Sequence, residues 1–129
     1  MAKVEAKEAP QMQDDRKALE DLNVKIGEME DQGDRDAWHW LDSILAPQLA
    51  FRRANGSIDN RCEFLTKVKP STSKPRKTEI VSIDLHGNRA IVTCVVKMGD
   101  KRYHNLRLFV RHEEHEEQWK LLGWANEQI

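Results

Sequence analysis

The sequence predicts an α+β fold in which helices come first and a sheet follows. Apolar residues recur at helical spacing up to about residue 68, and beyond a polar connector they alternate with period two. Short turns link the later segments, which makes neighbouring strands antiparallel. Helices followed by a run of strands fit helices packed on one sheet face. At 129 residues the chain suits one domain. Residues 1–12 are expected to form a flexible segment, and residues 13–129 a single folded unit.

The first helix can be capped by Asp14 or Asp15, and Leu19, Leu22, Ile26 and Met29 form its apolar stripe. Gly33 stops it, and Asp34 caps a second helix over residues 35–45. Ala37, Leu41, Ile44 and Leu45 face inward there, with Trp38 and Trp40 on the flanks. Pro47 disfavours helical geometry at Ala46 and ends the run. Residues 48–53 read as a short strand turning at Asn55-Gly56, a hairpin signal. A third helix over residues 59–68 points Cys62, Leu65 and Val68 inward. Residues 67–77 are basic and rich in Pro and Ser. They offer no aromatic stacking partners, so they read as a solvated connector rather than a phosphate-binding arm. Four strands follow, over residues 78–85, 89–98, 102–112 and 118–128. Gly87-Asn88 and Gly99-Asp100 supply tight turns, and residues 113–117 a longer charged loop.

Composition removes several classes of function. The 21 basic and 22 acidic residues leave a net charge of −1, which argues against a nucleic-acid binder. A mean hydropathy of −0.76 leaves no candidate membrane span. Residues 1–13 are polar, with no signal-peptide core, and two cysteines are too few for a disulfide scaffold. A cytoplasmic protein with buried, inert Cys62 and Cys94 is the expectation. No phosphate loop, nucleophile elbow or dinucleotide fingerprint is present, so no cofactor is expected.

The order of elements, three helices with a short hairpin before the third and then a long meander, resembles the nuclear transport factor 2-like superfamily. The local text agrees at Gly33-Asp34, at Ala46-Pro47-Gln48-Leu49-Ala50-Phe51 and at Asn105-Leu106-Arg107-Leu108-Phe109. It agrees again from Trp119 through Gly123-Trp124 to Glu127. The resemblance spans residues 13–127 and implies a cone-shaped (cystatin-like) fold, with a pocket between the concave face of a curved antiparallel sheet and the helices. It also implies dimerisation through the convex face. Where ketosteroid isomerases carry a catalytic acid at the end of the first strand, this chain has Arg52 or Arg53. That departure argues against the same proton-shuttling reaction.

Strand alternation sorts the candidate pocket residues. Leu106, Leu108 and Val110 form one face of the third meander strand; Tyr103, Asn105, Arg107 and Phe109 form the other. In the last strand Trp119, Leu121, Gly123 and Ala125 oppose Lys120, Leu122, Trp124 and Asn126. The mixed set is assigned to the concave side, giving Trp40, Arg53, Asn105, Arg107, Phe109, Trp124 and Asn126 as candidate ligand-binding residues. The surplus apolar set Leu106, Leu108, Leu121 and Ala125 calls for a cover, and a second subunit supplies one. Arg53 and Arg107 suit an anionic oxygen because arginine presents a planar donor fork. No acidic residue lies on the assigned strand face, so the counter-charge is expected from a ligand. His39 and Asp42, one helical turn apart, read as a solvated face rather than a base and its orienting acid. His112 and His115 lack a third histidine nearby, so no metal site is expected. The sequence thus points to a homodimeric pocket protein for a small, partly apolar molecule bearing an anionic or carbonyl oxygen. It would bind that molecule or act on it as an isomerase, dehydratase, cyclase or hydrolase; the alternative is a non-catalytic dimerising or assembly module.

Overall fold

The computed structural model describes residues 10–112 and 118–129. Three helices, α1 (Pro10–Gln32), α2 (Arg35–Ile44) and α3 (Arg61–Thr66), accompany a six-stranded sheet. Its strands are β1 (Leu45–Arg52), β2 (Ile58–Asn60), β3 (Arg76–His86), β4 (Arg89–Met98), β5 (Lys101–Val110) and β6 (Lys120–Gln128). Their order is β2-β1-β6-β5-β4-β3. The four-strand antiparallel meander is as the alternation predicts, but β1 pairs with β6 in parallel, so the sheet is mixed. The expected loop over residues 113–117 lies outside the described residues.

α1 starts at Pro10, within the segment expected to be flexible, while residues 1–9 lie outside the described residues. Proline suits a first helical turn, where its missing N–H had no partner to lose. The helix buries Leu19 and Ile26 fully, with Leu22 and Met29 packed at the edge of the core. Asp34 caps α2 by accepting from the Ala37 amide at 2.9 Å. Pro47 does not block a strand as early as Leu45, because pairing with β6 is interrupted between Leu45 and Ala50. The third helix is only six residues long, begun by an Asn60–Glu63 capping box. Its inward residues are Phe64 and Leu65; Cys62, expected inside, is exposed. Cys94 is buried on β4, and desolvation raises its thiol pKa.

A bulge decides the two faces of β6. Leu108 pairs with Gly123 and Phe109 with Leu121, so Leu122 is an extra residue that reverses the alternation. Leu121 therefore points into the core, as Trp124 does, and does not belong to the outer set assigned from simple alternation. Arg111 clasps Asp15 with two hydrogen bonds, at 2.6 and 3.0 Å, and lies over the Trp119 ring. That clasp ties the first half of α1 to the end of β5.

Candidate functional site

The concave side of β5 and β6 faces α1, and a cavity of about 250 Å³ opens between them. Arg53, Asn105, Arg107, Trp124 and Asn126 line it, with Glu30, Phe51, Arg76 and Tyr103. Phe109 shares the inward face but belongs to the packed core, away from this lining. Trp40 is separate as well: it sits on α2 beneath the Lys25 ammonium, 4.9 Å from its ring centroid, and does not line the cavity. Asp42 is engaged with Arg61 and His39 is exposed, so the structure gives them no shared pocket. Among the described residues no cluster of metal-ligating side chains occurs.

Arg107 is the centre of the arrangement and is 1% exposed. Its terminal nitrogens donate to the Asn23 carbonyl groups at 3.3 and 3.1 Å and to Asn105 Oδ1 at 3.3 Å. Its guanidinium lies 4.7 Å from the Trp124 ring centroid. Asn105 Oδ1 also accepts from Trp124 Nε1 at 2.7 Å. Asn105 is therefore fully occupied in holding Arg107 and Trp124 in place. Trp124 is fixed again from behind, stacked on Phe51 with centroids 4.1 Å apart. Among the described residues, two buried polar atoms of lining side chains have no partner: Arg107 Nε, a donor, and Asn126 Oδ1, an acceptor. Buried polar groups are nearly always paired, so each of these atoms carries an unmet hydrogen-bonding need.

The mouth is charged. Arg53 donates to Asp59 at 2.5 Å, and Lys67 reaches the other Asp59 oxygen at 2.8 Å. The Lys67 hydrogen bond, aided by Arg53, lowers the pKa of this buried carboxyl against its desolvation. Arg76 pairs with Asp31 and stands 3.9 Å from Glu30, too far for a hydrogen bond. Glu30 is 16% exposed. Burial raises its carboxyl pKa, although Arg76, Arg107 and Arg53 all pull it down. The acidic group that the strand pattern did not supply thus comes from a helix. Its signal lay in the spacing Leu19, Asn23, Ile26 and Glu30, where two polar residues share the face of the apolar stripe.

The architecture has close counterparts among solved structures. A protein of unknown function from Silicibacter pomeroyi, described as nuclear transport factor 2-like, superposes with a TM-score of 0.75 at 16% identity, over 92% of this chain and 98% of that one. This chain has the nuclear transport factor 2-like fold. A second protein of that description, from Cytophaga hutchinsonii, gives a TM-score of 0.70 at 14% identity, over 88% of this chain and 98% of its own. A CaMKII hub from S. rosetta gives 0.63 at 22% identity, over 98% and 100%. No protein-family model matches the sequence, and no curated protein matches it. A nuclear transport factor 2-like cone fixes where a pocket can lie, and the chemistry rests on the residues that line it. Among the described residues no helix is long and apolar enough to cross a membrane.

Proposed function

We propose that the cavity binds a small, partly apolar molecule through an anionic or carbonyl oxygen, with Arg107 as the anchor and Trp124 as the flat wall. The observation that supports this most is Arg107 itself. It is a buried cation whose direct hydrogen bonds go only to neutral groups, and its Nε–H has no partner among the described residues. No carboxylate hydrogen-bonds to it, and Glu30 on the same lining acts on it only through its field, so a bound anion would complete its pairing. Asn126 Oδ1 adds an acceptor, which suits a ligand carrying a hydroxyl or amide N–H beside its oxygen. The volume, just below the roughly 300–1,000 Å³ of ordinary ligand sites, limits the ligand to about one ring. Glu30 supplies the inward acid that proton-transfer chemistry of an isomerase or dehydratase type requires, with Arg107 placed to stabilise an enolate.

Calorimetric titration with benzoate, cyclohexanecarboxylate and the corresponding alcohols tests the reading. The acids should bind, and Arg107→Met should weaken them by about tenfold or more, as expected for a lost charged hydrogen bond. Asn126→Leu, at a half-buried position, should weaken them less and keep the fold intact. Acid binding that survives both changes would remove the cavity from the site.

A second reading, a self-associating module, is favoured by one observation of its own. Val81, Ile91 and Leu106 are 62%, 43% and 44% exposed on β3, β4 and β5. The hub among the similar structures makes such a role reasonable for this fold. Both readings are compatible in one protein.

A further inference from the structure

The loop over residues 69–75, between α3 and β3, is tied to the end of α1. Ser71 N donates to the Asp31 carbonyl at 2.9 Å, and Arg76 N donates to the Asp31 carboxylate at 2.7 Å. Just before the first of these contacts Lys69 and Pro70 pass so close to Gly33 that a Cβ there would overlap the Lys69 carbonyl. The pinned loop walls a second recess of about 240 Å³, which shares Glu30, Arg53 and Arg76 with the inner cavity. Its own wall brings Lys67, Lys69 and the hydroxyl-bearing residues 71–73.

Charge decides what such a recess would hold. Arg53 and Lys67 share the single Asp59 carboxylate, and Arg76 is matched by Asp31. Lys69 has no ion-pair partner among the described residues. Four cations against Asp59, Asp31 and Glu30 leave one positive charge, and two when Glu30 is protonated. Ammonium groups next to serine and threonine hydroxyls suit a tetrahedral, multiply charged oxyanion better than a planar carboxylate.

We propose that this recess is an outer chamber for a phosphate group, so that the full ligand is a phosphorylated small acid or carbonyl compound. Its acid or carbonyl end sits at Arg107 and its phosphate between Lys69 and the Arg53–Arg76 mouth. The inference rests on the inner-cavity reading for the ligand's other end, whereas the phosphate site stands on the loop alone.

Amide-resolved NMR titrations with inorganic phosphate and with benzoate, singly and together, test it. Phosphate should bind with a Kd on the order of 1 mM and move the amides of Lys69, Ser71, Thr72 and Ser73. Lys69→Gln, an exposed change that should leave the fold intact, should weaken phosphate about fivefold or more and leave benzoate unchanged. Phosphate that fails to bind, perturbs another surface, or ignores Lys69→Gln overturns the proposal. Phosphate that displaces benzoate also overturns it, because one set of cations would then serve both. Benzoate failing while phosphate binds at the loop removes the inner end of the ligand and leaves the phosphate chamber in place.

Discussion

Glu30 and Asp59 are both acidic residues among arginines, yet they should respond to pH in opposite directions. Burial raises the Glu30 pKa, so the folded state holds its proton more tightly than the unfolded chain. The resulting penalty is absent below the ordinary value of 4.5 and grows as pH rises through the folded value. Glu30→Gln should therefore melt above the wild type near pH 7, with the gap closing toward about pH 4. An equal gap at both pH values in a thermal-melt series would mean that Glu30 ionises freely. Asp59 has a lowered pKa, chiefly from the Lys67 hydrogen bond. Its contribution is present above the ordinary 3.8 and lost as pH falls through the folded value. Asp59→Asn should cost about 1–2 kcal/mol near neutrality, since Arg53 and Lys67 are partly solvated, and little in strong acid. Urea melts at the two pH values measure this directly.

At the scale of elements, the junction of α1 with the loop before β3 depends on Gly33. Its φ of +55° lies in the left-handed region, and the Lys69–Pro70 backbone leaves no room for a side chain. Gly33→Ala should cost at least about 2 kcal/mol in chemical denaturation. The same substitution at Gly56, whose surroundings are open, should cost less even though its φ of +89° is also positive. Gly33 was legible in the sequence as a helix stop because a left-handed residue ends helices locally. The clamp it permits was not, because its other half lies thirty-odd residues away in a stretch that reads as solvated connector. The inward face of β5 was equally legible, since Tyr103, Asn105, Arg107 and Phe109 alternate cleanly with Leu106 and Leu108. β6 was only half legible. The bulge at Leu122 follows from tertiary pairing with β5, so alternation alone misassigns Leu121 while placing Trp124 and Asn126 on the cavity side. Trp40 lies outside the lining for a related reason: helix spacing places it on a flank and cannot say whether that flank meets the cavity or Lys25.

For the whole molecule, the apolar outer face carries the clearest expectation. Val81 is pushed outward at the β3 bulge between Ile80 and Ser82, and Ile91 and Leu106 continue the patch across the sheet. We expect a homodimer through this face. Sedimentation equilibrium at about 10 µM should give twice the 15.0 kDa chain mass. Leu106→Lys should return a folded monomer by the same measurement and by circular dichroism. A wild-type monomer would leave the patch as an ordinary apolar surface and remove the self-association reading. The parallel pairing of β1 with β6 has a consequence in time rather than in space. The strand at the middle of the sheet follows all the others in sequence, so Leu49 and Phe51 on β1 and Phe64 on α3 wait for a partner contributed some sixty to seventy-five residues later. Closing so large a loop before any contact rewards it should place refolding in the millisecond-to-second range of proteins dominated by distant pairings. Until Trp124 arrives to stack on Phe51, the half of the cone that walls the cavity is sticky and unfinished, which exposes the nascent chain to misassociation.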